Sequence, residues 1–347
     1  MMLLLRSLRV PSRLFATAPP GHKYLTRADV DFITGPDEKY MEGFRKYAAP
    51  HRFAFREEDI KKWQDSFGDD FQMMLMCLKD TNRVIATMSN VCFRPLDSSN
   101  QPIYFIGYGW IDPEMRDRKV APLFSDMGLE SLPTEESNLI AHMNKHSRQF
   151  WHKMANKKEL PDRGTDSLVS HYITFYKWSD FQVPDNLSFP EITVKNARDV
   201  PKVDMIKYDQ SIHPFHRERY LIAHMHDKEG FGKVAYDEDG KVVGMAQAVI
   251  YPKGDCNLGP VYGDNPRAVQ AMFAEILKEM MASGKPVTQF IMLSTQMCPD
   301  GFRWIAPFLK CEPHRKHHFN FVYRNAAPKN IDFSRVYSPA HSQLCIV

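Results

Sequence analysis

The residues best placed to do chemistry lie in the stretch WIDPEMRDRKVAPLF, at 110–124. An apolar strand end runs into Asp112 and Pro113, and a basic turn then leads into an apolar helix start. The N–H groups in the first turn of a helix lack acceptors inside the helix, and the helix dipole is positive there, so together they stabilise an anion. The layout is therefore typical of a turn that holds a phosphate on backbone N–H groups.

The side chains of this turn give opposing signals. Arg118 and Lys119 would add positive charge toward a phosphate, whereas Asp117 would work against it. Lys119 also occupies a position where such turns usually carry glycine. Because backbone N–H groups need no particular side chain, the phosphate turn can form if Lys119 does not require a positive φ. The alternative is an ordinary strand–helix turn with solvated charges.

The elements that must position this turn alternate between strands and helices in the first half of the chain. Ile60, Trp63 and Phe67 recur at helical spacing and predict a helix over 57–67. Apolar runs predict strands, which lie at 71–79, 83–93, 103–111, 137–143 and 166–178. Two further helices are predicted at about 121–131 and at 144–155.

The second half shows a related order of elements after a linker, QVPDNLSFP, at 182–190. A strong amphipathic helix is predicted at 265–284, with Asn265 as N-cap, Pro266 in the first turn and Gly284 at its end. The remaining elements are helices at 198–212 and 216–227, strands at 192–196, 256–263 and 287–296, and a hairpin at 232–251. Each half therefore runs helix, hairpin, strand, helix, strand, helix.

The composition is that of a globular protein. The 347 residues are 43% hydrophobic and 25% charged, which is enough for two domains. No apolar run approaches the roughly 20 residues that span a bilayer, so no membrane segment is predicted. The six cysteines occur without CxxC pairs, which favours a reducing compartment over a disulfide framework.

The N-terminal segment has a different composition from the rest. It is rich in leucine and arginine, and no acidic residue occurs before Asp29. This pattern predicts a mitochondrial transit peptide over 1–20 and a place in the mitochondrial matrix, with a disordered basic tail and a cytoplasmic protein as the alternative. Removing residues 1–15 removes three arginines and no acid, which takes the formal net charge from +3 to zero. The body of the chain therefore has no charge excess that would indicate nucleic acid.

This order of elements, with a phosphate-type turn between strand and helix, resembles the GNAT superfamily of acetyl-CoA-dependent N-acyltransferases. The second half, through GPVYGDNPRAVQAMF at 259–273, resembles the divergent YitH-type acetyltransferase domain. The resemblance implies an α/β fold of the α+β, GNAT-like kind. It also implies two tandem domains, at 21–185 and 186–347, each with a central mixed, mostly antiparallel sheet flanked by helices.

The resemblance assigns the turn to an acyl-CoA. In the family the turn reads Arg/Gln-x-x-Gly-x-Gly/Ala, and here the matching residues are Arg116, Asp117, Arg118, Lys119, Val120 and Ala121. The first and last positions fit the family, while Lys119 replaces its central glycine. The resemblance implies that these residues hold the diphosphate of acetyl-CoA or another acyl-CoA, and that a strand-edge N–H near Ile111 holds the thioester carbonyl.

A second motif, Asn144-x-x-Ser147-x-x-x-Trp151, matches the family's Asn-x-x-Ala-x-x-x-Tyr. The resemblance implies that Asn144 and Ser147 pack beside the pantetheine arm and that Trp151 takes the place of the tyrosine that protonates the departing thiolate. An indole N–H donates a hydrogen bond but supplies no proton near neutral pH. Transfer would then depend on positioning and on backbone donors that polarise the thioester. Trp151 can equally be part of a helix core.

A base must take the proton of the ammonium acceptor before attack. Position alone nominates His142, at a strand end, and Glu114, beside the turn. Each has a plain structural alternative, since a lone histidine on a strand is often a satisfied structural residue.

These residues predict an acyl-CoA-dependent N-acyltransferase, with acetyl-CoA as the expected co-substrate and no metal. The acceptor would be a small-molecule amine or a protein N-terminus, and neither nucleic acid nor membrane is expected as a partner. The alternative is a catalytically inactive GNAT-like protein that binds acyl-CoA or a partner, since Lys119 and Trp151 both depart from the family pattern. A purely structural protein is a third class. The oligomeric state is left open.

Two further patterns are assigned no ligand. The second half has Asp264 and Pro266 in its equivalent turn, which repel a phosphate and remove an N–H, so this half is not expected to hold CoA. The histidines His314, His317 and His318 follow Cys311 with Arg315 and Lys316 among them; they match no closed zinc spacing and are predicted to form a basic surface loop.

Overall fold

The computed structural model describes residues 24–51, 55–131, 138–143, 167–295, 303–312, 315–323 and 326–340. These residues form two compact units. Unit 1 contains 24–51, 71–90 and 106–131, and unit 2 contains the other described residues.

Groups of strands are separated by one or two helices along the described chain. The α-helices are α1 (Glu38–Tyr47), α2 (Glu57–Phe67), α3 (Val120–Glu130), α4 (Lys202–Gln210), α5 (Glu218–Met225) and α6 (Pro266–Ser283). The first strands are β1 (Val30–Thr34), β2 (Phe71–Leu78), β3 (Val84–Phe93), β4 (Ile103–Ile111), β5 (Asn138–Met143), β6 (Ser167–Lys177) and β7 (Thr193–Asn196). The later strands are β8 (Lys233–Tyr236), β9 (Val242–Ile250), β10 (Asp255–Gly263), β11 (Gln289–Thr295), β12 (Arg315–Tyr323) and β13 (Val336–Ser338).

Unit 1 is a sheet in the order β1-β2-β3-β4 with α3 packed on it. β1 and β2 are antiparallel, and the predicted hairpin between β2 and β3 is confirmed, because the Leu78 N–H donates to the Arg83 carbonyl over 2.9 Å. Val120 and Phe124 of α3 share a core with methionines of β2, among them Met74. Burying such side chains contributes about 1.5–3 kcal/mol each, which fixes the start of α3 against the sheet.

Unit 2 is a sheet in the order β5-β12-β6-β11-β10-β9-β8-β7, and β13 pairs with β10. Its paired neighbours are antiparallel except β10 and β11, which run parallel from Asp255 opposite Gln289 to Leu258 opposite Met292. Mixed, mostly antiparallel sheets flanked by helices confirm the predicted fold class. The domain limits at 185 and 186 remain a prediction.

Strands from the two halves of the sequence interleave in unit 2. β6, from the first half, lies between β11 and β12, both from the second half. β12 in turn lies between β5 and β6, with Phe321 opposite His142 and Phe319 opposite His171. A strand of the first half, β6, thus lies between two strands of the second half, and a strand of the second half, β12, lies between two strands of the first half.

The largest helix, α6, packs on the sheet of unit 2 through an apolar face that includes Phe273 and Met280. Its predicted caps are confirmed. The Asn265 side chain accepts the Ala268 N–H over 2.9 Å, and Gly284 ends the helix at φ 64°. Glycine adopts this left-handed conformation without the steric cost that other residues have.

The prediction of a basic surface loop around His317 and His318 was wrong. Both residues lie on β12, inside the sheet of unit 2. The charged and polar start of β12 hides the strand, because it lacks the apolar alternation by which strands are recognised. The predicted helix at 144–155 lies outside the described residues. Among the described helices, none is both long enough and apolar enough to cross a bilayer.

Candidate functional site

The turn that follows β4 is helical rather than open. Asp112 starts a 3₁₀ helix, Pro113–Arg118, by accepting the Glu114 N–H on its carboxylate over 3.0 Å. Lys119 ends this helix, and α3 begins at the next residue, Val120. The predicted strand–turn–helix order is thus confirmed, with a short extra helix within it.

Lys119 has a positive φ, which is the conformation that it was expected not to adopt if the turn is to hold a phosphate. Its φ of 60° and ψ of 25° lie in the left-handed region, which costs a residue with a side chain roughly 1–2 kcal/mol. The ammonium of Lys119 lies 4.0 Å from the centroid of the Tyr24 ring, and the Leu25 N–H donates to the Arg118 carbonyl over 3.1 Å. Contacts with residues 24–25 therefore help to offset the strain of the turn.

A partly buried ion pair anchors the start of the turn. The Arg83 guanidinium donates to the Asp112 carboxylate over 2.6 Å and to Glu114 over 2.7 Å. Asp112 is buried, and its N–H donates to the Ile85 carbonyl over 2.8 Å. Glu114, one of the two predicted bases, is exposed, and its carboxylate is held by the Arg83 guanidinium.

Two arginines of the turn have guanidinium groups that form no ion pair with the described residues. Neither Arg116 nor Arg118 has a hydrogen bond or ion pair from its side chain to the described residues, and the Arg118 Nε is buried without a partner. The supply of backbone donors in α3 is smaller than its position suggests. Pro122 has no N–H, and the Leu123 N–H already donates to the Lys119 carbonyl over 3.3 Å. The N–H groups of Val120 and Ala121, with the two guanidinium groups, are what this turn can offer an anion.

The strand before the turn carries a second left-handed residue, which the sequence analysis missed. Tyr108, in β4, has φ 50° and is buried, and its carbonyl accepts the Thr87 hydroxyl over 2.9 Å. Such a residue re-aims the backbone groups of a strand, and strained residues of this kind cluster at functional sites. Gly107 and Gly109 on either side were the available signal. Ile111, the predicted carbonyl-binding position, is the last residue of the same strand.

The other predicted base, His142, belongs to unit 2 and lies beside a second histidine. His142 on β5 and His171 on β6 have ring centroids 5.0 Å apart, with Phe105 and Phe321 against the His142 ring. His171 is fully buried, and neither of its ring nitrogens has a hydrogen-bond partner within the described residues. Burial, followed by repulsion from His142 and His318, lowers the pKa of His171 well below 6.5, so this imidazole is neutral at pH 7.

Sequence reasoning missed His171. The alternation of His171, Ile173 and Phe175 along β6 was the signal that could have placed it on a buried face. Asn144, Ser147 and Trp151, predicted to line the pantetheine arm, lie outside the described residues.

The equivalent turn of the second half is occupied by the chain itself. Asp264 accepts the Tyr208 hydroxyl over 3.0 Å and pairs with Arg335 over 2.7 Å. Asn265 uses the Ala268 N–H of α6, and Pro266 has none. This helix start therefore has few donors left for a phosphate.

Two histidines of the second half, His224 and His226, lie within hydrogen-bond distance of backbone carbonyls. The His224 Nε2 lies 2.8 Å from the Gly259 carbonyl oxygen inside the core. The described residues contain no group of histidine, cysteine and acidic side chains that could hold a metal ion.

Comparison with known proteins identifies a family for the chain and similar solved structures. The family model "Protein of unknown function (DUF1248)" matches residues 27–212. No curated protein sequence matches the chain.

The chain is also similar to solved structures. A putative acetyltransferase from Pyrococcus horikoshii has a TM-score of 0.58 at 14% identity, over 93% of this chain and 98% of that one. N-myristoyltransferase of Saccharomyces cerevisiae with bound myristoyl-CoA has a TM-score of 0.58 at 12% identity, over 89% and 82%. A tandem GNAT protein from the clavulanic acid biosynthesis pathway has a TM-score of 0.55 at 10% identity, over 85% and 98%. At these identities the comparison shows the fold, which is that of GNAT acetyltransferases, as the resemblance predicted.

Proposed function

Since the chain belongs to the DUF1248 family, whose function is unknown, and has the fold of GNAT acetyltransferases, we propose that it is an acyl-CoA-dependent N-acyltransferase. Acetyl-CoA is the expected donor, and the acceptor is a small-molecule amine or a protein N-terminus. We place the protein in the mitochondrial matrix on the composition of its N-terminal segment.

One observation carries this proposal. The turn after β4 presents Arg116 and Arg118 without carboxylate partners among the described residues, beside the first turn of α3. Guanidinium groups suit phosphate because their paired N–H groups match its oxygens, and a helix start adds backbone donors. A solved relative of the same fold was crystallised with an acyl-CoA bound, which supports assigning this turn to the diphosphate of that class of co-substrate.

The proposed reaction is direct transfer. The nitrogen of a neutral amine attacks the thioester carbonyl, the new C–N bond forms, and the C–S bond breaks to release CoA as its thiolate. A backbone N–H near Ile111 stabilises the carbonyl oxygen as it gains charge. The amine loses one proton to a base, for which His142 and Glu114 stay the candidates that sequence position nominates. Trp151 would donate a hydrogen bond toward the sulfur, and solvent would supply the proton of the CoA thiol.

The alternative is an inactive protein that keeps the binding site. It is favoured by one observation, the left-handed Lys119 whose ammonium faces the Tyr24 ring, because a charge held there is less available to a ligand. Both proteins would bind acyl-CoA, but only the enzyme would transfer the acyl group to an amine.

The test combines stability and turnover. We expect millimolar acetyl-CoA to raise the melting temperature of the full chain, since a ligand at 100 times its Kd stabilises the folded state by about 2.7 kcal/mol. Free thiol should then appear when a panel of amines and N-terminal peptides is added. Stabilisation without turnover would support the binding protein, and no stabilisation at all would refute both.

A matched pair of variants locates the site. Arg116→Glu with Lys119→Glu should abolish the stabilisation by acetyl-CoA. Lys39→Glu with Lys46→Glu makes the same charge change on the exposed side of α1, also in unit 1, and should leave it intact. If both double variants lose the stabilisation by acetyl-CoA equally, the effect is a general one of charge, and residues 116–121 do not form the site.

A further inference from the structure

A second site for an anion lies in unit 2. A pocket of about 680 Å³ opens between α4, the β8–β9 turn, the end of β10 and the 3₁₀ helix at Phe333–Arg335. Its volume falls within the roughly 300–1,000 Å³ of small-molecule sites. We propose that this pocket binds a compact phosphate-bearing small molecule between Lys207 and Lys241.

The charges that line the pocket favour an anion. Three cations, Lys207, Lys241 and Arg335, face two carboxylates, Asp204 and Asp264, so the lining has a net charge of +1. The adjacent turn also carries Asp237, Glu238 and Asp239, but none of these lines the pocket.

Both carboxylates already have partners within the protein. Asp264 accepts from Tyr208 over 3.0 Å and from the Arg335 Nε over 2.8 Å. Asp204 accepts from the Tyr236 hydroxyl over 3.1 Å. A cationic ligand would have to compete with these donors, so the carboxylates do not make the pocket a cation site.

The hydroxyl and backbone donors of the lining are also used. Ser211 donates to the Tyr208 carbonyl over 2.7 Å and accepts from Arg335 over 2.9 Å, while Ser334 donates to Asp332. The Gly240 N–H donates to the Asp237 carbonyl over 3.1 Å.

Two lysines are the groups of the pocket lining that stay available to a ligand. The ammonium groups of Lys207 and Lys241 have no hydrogen bond or ion pair within the part of the chain that the structure describes. Lysine is a compact, strongly hydrated charge that binds phosphate as a point charge, and two of them match a phosphate dianion better than a monocarboxylate.

The walls of this site are held in place before any ligand arrives. Arg335 joins α4, through Ser211, to the end of β10, through Asp264, and its guanidinium lies 4.7 Å from the centroid of the Tyr208 ring. The Asp264 N–H donates to the Val243 carbonyl of β9 over 2.9 Å. A preformed site loses less conformational entropy on binding than one that must order its walls.

The test is calorimetric titration with inorganic phosphate and with glycerol 3-phosphate, at matched ionic strength, with glycerol and acetate as controls. We expect both phosphates to bind and both controls to give no heat. Lys207→Ala with Lys241→Ala should weaken phosphate binding at least tenfold. Lys202→Ala with Lys278→Ala removes two exposed lysines from α4 and α6, outside the pocket, and should bind as the wild type does.

A further variant separates this site from the acyl-CoA turn. Arg116→Glu with Lys119→Glu should keep the phosphate binding that depends on Lys207 and Lys241, losing only any separate binding at the turn after β4, and Lys207→Ala with Lys241→Ala should keep its stabilisation by acetyl-CoA. Loss of phosphate binding in the former variant, equal binding in both lysine variants, or no phosphate heat at 10 mM would each overturn the proposal. The pocket is independent of the proposed transferase activity, so failure of either leaves the other standing.

Discussion

The imidazole rings of His142 and His171 lie with their centroids 5.0 Å apart on one face of the unit 2 sheet. β12 runs between the strands that carry them and places Phe319 and Phe321 on the same face. Two imidazoles at this separation in an apolar setting disfavour protonation of each other, and burial acts in the same direction. Neutral His171 is therefore a consequence of the strand order.

We expect His171→Leu to stabilise the protein by about 1 kcal/mol at pH 7, because an unsatisfied buried polar group costs about 1–3 kcal/mol. The effect should also depend on pH. The pKa of His171 is lower in the folded state than its unfolded value near 6.5, so the unfolded state binds the proton first and wild-type stability falls as the pH drops through that value.

Urea denaturation from pH 7.5 to 5 measures this difference. The wild type should lose more stability than His171→Leu by up to about 1.4 kcal/mol per pH unit below 6.5. His216→Leu, on an exposed histidine beside Glu218, is the control and should follow the wild type. Parallel curves for all three proteins would contradict the assignment of a buried neutral His171.

Lys119 provides a test of backbone strain. At a residue with φ 60°, glycine is favoured over alanine by about 1 kcal/mol, because only glycine adopts this conformation freely. Lys119→Gly should therefore be more stable than Lys119→Ala by about that amount, although both lose the contact with the Tyr24 ring.

The control is the pair Glu42→Gly and Glu42→Ala, at an exposed residue in the middle of α1, where alanine should be favoured over glycine by about 1 kcal/mol. Thermal or urea unfolding ranks the four variants. If alanine also ranks first at 119, the left-handed conformation there is not what the protein adopts.

Asp227 provides a test of buried charge in unit 2. Its carboxylate accepts from Arg56 over 2.9 Å and from Lys62 over 2.9 Å, and Arg56 also pairs with Asp59. Burial alone raises the pKa of Asp227, but the hydrogen bonds and charges of Arg56 and Lys62 outweigh it, and the pKa ends well below 3.8. Removing one partner of a buried ion pair typically costs about 3–5 kcal/mol, so Asp227→Asn should be strongly destabilising at pH 7.

The sign of the pH dependence follows from the lowered pKa. The stabilisation by Asp227 is complete above its unfolded pKa of about 3.9 and is lost as the pH falls toward the folded value. The stability gap between wild type and Asp227→Asn should therefore narrow between pH 4 and pH 2. Asp65→Asn, on an exposed residue paired with Lys61, should show almost no gap at any pH. A constant gap for Asp227 would mean that its charge contributes nothing.

Much of the fold could be predicted because its elements carry local signals. The caps of α6 at Asn265 and Gly284, and the β2–β3 hairpin, depend on short-range chemistry that a single stretch of sequence contains. The turn after β4 was found for the same reason. The 3₁₀ helix inside it was not, because it depends on Arg83, a residue 29 positions before Asp112, to hold the Asp112 carboxylate.

The features that escaped prediction depend on distant parts of the chain. β12 was missed because its polar start carries no alternation, and its place is set by pairing with β5 and β6. The pairing of those strands also brings His142 against His171, and no local pattern in the sequence indicates that contact. The left-handed conformations of Tyr108 and Lys119 are imposed on residues that do not favour them, so the sequence gives only indirect signals, such as the glycines that flank Tyr108.

The interleaved strands of unit 2 bear on how the protein emerges from the ribosome. β6 is complete at Lys177, but its two neighbours end only at Thr295 and Tyr323. Until then its edges have no partner, and an unpaired edge is a template for association with other chains. We expect nascent or truncated chains that stop between 180 and 290 to require a chaperone, and the two halves, made as separate polypeptides, to stay soluble only when they are synthesised together.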